Sequence, residues 1–506
     1  MCFKFILITS ISYIYIPVFI FLFGFTKLPV ALIVSICLAF CIHKLYKDYN
    51  SGFIGEGIFK EPVLPLWIVL LCILIIFIYG YYMGFGGFAP QKSDWGKHNA
   101  ILNDLVTRSW PVYYKNDNEI SMLVYYLAQY LVPALAGKIF NSFSVAEIVQ
   151  YVWNVCGIIL VFLNVIIFLN MYNSRKKIFA GLFIILFFSG ALWMAQEAAY
   201  FIYGSRLDCR GSFHWLIGNN FYIQLRSNMA SVMWAFPQWI VPCLAGSLLF
   251  RFKNYIRHYV TLLMPLLLFA SLSFLGILPI AIIYAIYMQV KSKDIRYLKN
   301  ILSIENIVLF LSLGMVLLFY FYGNIFMEKP SEIALHFISY KNEILAYFVF
   351  IFFMFGFHAL IIRKRYKDDC LFYLVNIVLI LLPLFSMGLY NDLVMGGGTV
   401  PMFLLMMYIM DFIFNSEKTK QYYKAKGILI VLLMIGATYP LSELQKVVEN
   451  DIIFKKQEDF NLGYTMEAYA NRGIDVPLDL KYNYYSYDIQ DNIFYKYIAR
   501  EKLGSE

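Results

Sequence analysis

The sequence predicts an all-α fold: a polytopic bundle of about 13 transmembrane helices, with roughly 11 to 14 as the range. Three observations predict it. Hydrophobic residues make up 61% of the 506 and charged ones only 14%, too little charge to cover a soluble surface of this size. Mean hydropathy is +0.66. Apolar windows of about 20 residues recur along the chain, each long enough to cross a hydrocarbon core of roughly 30 Å. A transmembrane barrel would need short alternating segments, whereas these runs are continuous.

Taken in order, the predicted spans cover residues 5–25, 28–45, 63–84, 145–170, 178–200, 228–250, 259–273, 275–290, 302–322, 342–362, 371–389, 397–414 and 426–440. The first is read as an uncleaved span, because its apolar stretch is too long for a signal-peptide core and no small-residue cleavage site follows. Gly276 and Pro279 in "SLSFLGILP" divide an otherwise over-long run, predicting two short helices within 259–290. Residues 1–440 form the membrane domain, and 441–506, polar and tyrosine-rich, form a C-terminal tail or small cap.

The formal net charge of +9 does not indicate nucleic-acid binding, since the basic residues are dispersed in short clusters at span ends. "HKLYKDY", "SRKK", "RFKNYIRH", "KSKDIRYLK", "RKRYKDD" and "EKTKQYYKAK" all belong on one side, which the positive-inside rule makes cytoplasmic. The N-terminus is then inside, and residues 85–144 and the tail are outside. A crossing at 120–140 would move "SRKK" outside, so "EISMLVYYLAQYLVPALAGKIF" is expected to be an amphipathic or re-entrant helix, with Tyr125, Tyr126 and Tyr130 at headgroup level. The eight cysteines show neither a disulfide framework nor a zinc pattern.

The external segments carry the chemistry. "SDWGKHNAILNDL" reads as the start of a helix capped by Ser93 or Asp94. Asp94, Lys97 or His98, and Ile101 share a face, and Asp104 falls close to it. A carboxylate, an imidazole and a second carboxylate at a membrane surface suit a general base, or a divalent metal held by Asp94 and Asp104; a capped interfacial helix with solvated charges is the plainer reading. The loop at 201–227 offers Arg206, Arg210 and Arg226 with His214 and Asp208, and planar guanidinium groups match phosphate oxygens. Pairing with lipid headgroups or with Asp208 would explain these arginines equally well. Glu197, just inside its span, needs a partner or a cavity. Asn391 and Asp392 open "NDLVMGGGTVP", whose three glycines either admit a ligand close to backbone N–H groups or make a tight turn. Lys138 faces phosphate or snorkels.

Together, "SDWGKHNAILNDL", "WPVYY", "YYLAQYLVPALAGKIF", "SNMASVMWAFPQWIVPCLAG", "SLSFLGILP", "YNDLVMGGGTVPMF" and "IFYKYIA" resemble a bacterial group of GT-C-like membrane glycosyltransferases. The resemblance implies a GT-C-like bundle in the bacterial plasma membrane that transfers sugar from a polyprenyl-phosphate donor to a glycan, lipid or protein acceptor on the outer face. It implies Asp94 as catalytic base or metal ligand; His98, which could orient or share the proton, and Asp104 are read as its supports from their spacing on the helix. Mg²⁺ or Mn²⁺ would be the metal. By their own chemistry, and not by the resemblance, Lys97, Lys138, Arg206, Arg210, Arg226, His214, Asn391 and Asp392 are the candidates for substrate and phosphate. In that group the "NDLVM" segment tends to continue with an arginine and the "PQ" segment with a histidine; here Gly396 and Trp239 stand there. A polymerase or ligase of lipid-linked glycans, or a transporter or flippase for them, are the alternatives. Charge gathered on one external face favours surface chemistry over the paired repeats and midplane charges of a transporter.

Overall fold

The computed structural model describes residues 3–50, 66–116, 119–203, 215–217, 221–293, 299–325, 334–338, 344–388, 391–417, 419–454, 465–466, 484–486, 489 and 492–500. Among them, eight helices are long and apolar enough to cross a membrane, or ten if each of two bent pairs is one span. The helices are α1 Phe3–Phe25, α2 Leu28–Asn50, α3 Leu66–Tyr82, α4 Trp95–Thr107, α5 Ala128–Phe140, α6 Phe143–Phe168, α7 Arg175–Phe187, α8 Leu192–Tyr203, α9 Asn228–Ala235 and α10 Ile240–Arg251. Then follow α11 Tyr259–Leu263, α12 Leu266–Phe269, α13 Ser271–Ser292, α14 Lys299–Asn324, α15 Ile344–Ile362, α16 Cys370–Leu381, α17 Asp392–Asn415 and α18 Lys420–Glu449.

The apolar windows became helices for the reason they were legible: in lipid every backbone N–H and C=O must be satisfied within its own segment. Side-chain burial then sorts them. The span of α17 is wholly buried and forms the axis of the bundle, with α10, α13 and α16 packed around it. By contrast α2 is mostly exposed and presents Leu32, Ile33 and Ile36 outward, the surface expected against lipid tails.

Several expected elements are corrected. The run 259–290 is not broken at Gly276 and Pro279. It breaks at Ala270, and α13 passes through both residues as one 22-residue helix. Residues 228–250 do not form a straight span, because the chain turns by 101° between Asn228–Gln238 and Ile240–Arg251, next to Pro237. The span at 178–200 bends by 48° between α7 and α8. Residues 120–140 are not one helix. Tyr113–Asn116 (β1) and Glu119–Leu123 (β2) form an antiparallel hairpin, and only Ala128–Phe140 is helical. Tyr125, Tyr126 and Tyr130 are buried instead of lying at a headgroup surface. The Gly-rich stretch 396–398 is no turn but lies in the first part of α17.

The two ends of the bundle differ in chemistry. At one end, contacts join the basic clusters of the sequence: Arg257 and His258 to Asp48, Lys253 to Asp369, Arg365 to Asp411, and Lys177 to the carbonyl of Phe414. The other end carries α4, the hairpin and the described parts of the tail. Tyr485–Ser486 adds a third strand beside β2, and Arg500 N–H donates to Phe25 C=O where α1 ends. α13 runs from one end to the other, with Ser273 at the carbonyls of Gln238 and Gly396 and Lys291 in its last turn.

Candidate functional site at the loop end of the bundle

Trp95, His98 and Phe236 set the site. Trp95 is fully buried, stacks on Phe236 at 5.0 Å between ring centroids, and donates its indole N–H to Met233 C=O at 2.9 Å. His98, also fully buried, places Nε2 3.2 Å from Trp234 C=O and Nδ1 2.5 Å from the Tyr130 hydroxyl. A carbonyl only accepts, so Nε2 carries the proton and Nδ1 accepts from Tyr130. These contacts clamp the first turn of α4 onto residues 233–236 just before the 101° bend.

The clamp leaves Asp94 and Lys97 on the outer rim, 3.3 Å apart and each less than one-third exposed. Asp94 occupies the N-cap position of α4 but makes no capping hydrogen bond; its carboxylate is turned to Lys97 instead. Burial alone would raise its pKa, but Lys97 and Arg226 outweigh burial and hold the carboxyl below its ordinary value. Arg226 is in turn coupled to Asp94 and to Asp392, the first residue of α17. Burial pushes the Tyr126 hydroxyl up to about 12; it accepts from Gln238 at 3.2 Å and lies within electrostatic reach of Lys97, Asp392 and Asp94. Two carboxylates, two cations, a phenol and an amide thus converge from the start of α4, the residues before α5, both sides of α9 and the start of α17.

The sequence-derived residues divide clearly. Asp94, Lys97, His98, Arg226 and Asp392 come together. Arg206, Arg210, His214 and Asp208 lie outside the described residues. Lys138 is elsewhere: it donates to Arg108 C=O and stacks over the Trp110 ring at 5.3 Å. Asn391 is buried in left-handed backbone (φ 56°), its amide bonded to Phe385 C=O and Met387 N–H, which fixes the entry to α17. Glu197 is exposed on α8.

Asp104 is fully buried and spent on structure. It accepts from the Tyr114 hydroxyl at 2.7 Å and Met466 N–H at 2.9 Å, and Arg108 sits 3.3 Å away. It stands about 15 Å farther along α4 than Asp94, so the two do not converge on one ion. Among the described residues no group of three or more His, Cys, Asp or Glu side chains could hold a metal.

Three members escaped the sequence reading. Tyr126 was lost among tyrosines assigned to a headgroup belt, and Trp95 among apolar residues. The signal for Gln238 was a polar side chain beside Pro237 inside an apolar run, a place where a helix breaks and its end must be satisfied. No family model, no curated protein and no solved structure matches the chain.

Proposed function

We propose that this protein is a GT-C-like membrane glycosyltransferase that moves a sugar from a polyprenyl-phosphate donor to an acceptor hydroxyl. In this reading the shorter apolar helices also cross the bilayer, making about 13 spans, with the loop end outside and the basic end cytoplasmic. The observation that carries the reading is the meeting of Asp94, Lys97, Arg226 and Asp392 at one end of a bundle whose flanks face lipid.

The chemistry fits that reaction better than glycoside hydrolysis. A phosphate leaving group departs as a stable anion and needs no general acid, whereas hydrolysis needs a second, protonated carboxyl. Asp94 is held ionised by its two cations and so is ready to take the acceptor's hydroxyl proton. The acceptor oxygen then bonds to the anomeric carbon while the bond from that carbon to the phosphate oxygen breaks. The electron pair leaves with the phosphate, whose charge Arg226 and Lys97 neutralise. His98 takes no proton in this scheme; it positions Tyr130 and α4.

A second reading, transport of a lipid-linked sugar, draws on the two bent helix pairs, since discontinuous helices are where transporters build their sites. One experiment separates the two. Wild type and Asp94→Asn in nanodiscs are given lipid-linked sugar donors and candidate acceptors, and new glycosidic product is counted. Transfer predicts product from wild type and a drop of about 10²-fold or more in the variant. Equal product from both discards Asp94 as the base; no product from either, with donor moved across a vesicle bilayer, favours transport.

A further inference from the structure

The basic end of the bundle holds a cavity of about 470 Å³ that the transfer chemistry does not use. It lies where the segment after α10 (Lys253, Asn254), the last turns of α13 (Tyr284, Tyr287, Lys291) and the turn into α16 (Arg365 to Cys370) meet. The volume matches sites that take small molecules, and its walls combine three cations with tyrosine rings.

Not every charge here is available. Lys253 binds Asp369 at 2.6 Å, and Asp369 also accepts from the Tyr408 hydroxyl and caps Leu371 N–H. That pair is internally neutral. Arg365 leans on Asp411 at 3.3 Å and on Asn415 C=O at 3.5 Å through the same terminal nitrogen, and its side chain remains one-quarter exposed. A guanidinium that meets these acceptors through one terminal nitrogen has further N–H groups that can donate to an anion. Lys291 is exposed in the last turn of α13, beside the Tyr287 ring at 5.5 Å, with no carboxylate in ion-pair range among the described residues. Asp368 lies at the exposed rim. Along the same two helices, α13 exposes Ile283, Ile286 and Val290 and α16 exposes Tyr373 and Ile377, apolar surface suited to lipid tails.

We propose that this pocket binds a phosphate-bearing anion through Lys291 and Arg365, carried by a membrane phospholipid whose tails lie along α13 and α16. Guanidinium and ammonium groups at one mouth give charge-assisted hydrogen bonds to phosphate oxygens. A soluble phosphate would use the same groups without the apolar flanks.

The full chain is purified in neutral detergent and moved to nanodiscs of phosphatidylcholine alone or doped with phosphatidylglycerol; inorganic phosphate is titrated separately. Retained lipid is counted by native mass spectrometry and stability read by tryptophan fluorescence. Wild type should retain phosphatidylglycerol selectively. Lys291→Gln should lower that affinity about fivefold, Lys291→Arg should restore it, and Lys176→Gln, an exposed cation of another basic cluster, should leave it unchanged. Stabilisation by inorganic phosphate with the same variant pattern, and no preference for the anionic lipid, supports phosphate recognition and assigns a soluble source. Equal binding by wild type and Lys291→Gln overturns the proposal, as does equal weakening by Lys176→Gln or the absence of binding to either probe. Because Lys291→Arg keeps the charge and the helix end, loss in both Lys291 variants counts against the site as well.

Discussion

The hydroxyl of Tyr130 lies 2.5 Å from Nδ1 of His98, inside a buried cluster where the other ring nitrogen is held by Trp234 C=O. The imidazole is therefore neutral and fully used. Burial, then the charge of Lys97, push its value down to about 3 from an ordinary 6.5. Between those values the unfolded chain binds a proton that the folded one refuses, so stability is full above pH 6.5 and falls as pH drops toward 3. The slope from this one group approaches about 1.4 kcal/mol per pH unit. Melting curves in detergent should show wild type losing stability over that window and His98→Gln losing less. Parallel curves would mean that the ring is not held neutral.

Arg226 stands between two carboxylates, and its removal should be visible in the pH dependence of catalysis. With Lys97 it holds Asp94 below the ordinary carboxylate value. In Arg226→Gln part of that support is lost and the Asp94 carboxyl rises, so the acid limb of kcat/KM should move to higher pH. The plateau should also fall by roughly 10²-fold, because a donor to the departing phosphate is gone. Arg226→Lys should keep most of the limb position while losing part of the rate. A lower plateau with an unmoved limb would detach Arg226 from Asp94.

How much of this was legible follows from the range of the forces involved. Span-length apolar runs and basic clusters are local properties, and they appear in the structure as helices and as ion pairs that join the ends of several helices. Asp94, Lys97 and His98 were legible because one helical turn relates them. Arg226 and Asp392 were visible as polar groups in apolar surroundings, but their meeting with Asp94 depends on the bend beside Pro237 and on the entry of α17, which no local pattern encodes. Asp104 misled because helical spacing gives the face a residue is on, not what other chains of contact cover that face. Its partners, Tyr114 and Met466, come from a hairpin and from the tail.

The placement of Asp104 has its own consequence. A buried carboxylate that joins α4, β1 and residue Met466 supports structure, so Asp104→Ala should cost about 3 kcal/mol and loosen the tail from the loop end. Thermal melting and limited proteolysis would register both. Activity should fall only as far as folding does: a variant that keeps its melting temperature yet loses turnover would return Asp104 to the chemistry.

Gly276 gives the sharpest contrast between a residue's local meaning and its packed one. By sequence it reads as a helix breaker, yet α13 continues through it. A Cβ built there would sit 1.9 Å from the carbonyl oxygen of Gly397, so the missing side chain is what lets α13 touch the first turns of α17. The obstruction is backbone, which cannot rotate away. Small residues serve close helix approach in this way inside membranes. Gly276→Ala should therefore destabilise the bundle by several kcal/mol despite alanine's better helix propensity, and should displace Asp392 at the end of the same helix. Gly427 in α18 has no atom within 4 Å of a built Cβ. There the propensity term acts alone, and Gly427→Ala should stabilise by up to about 1 kcal/mol. The two variants share one chemical change, so paired melting curves isolate the effect of contact. If Gly276→Ala proved as well tolerated as Gly427→Ala, the close approach of α13 to α17 would not be a property of the folded protein.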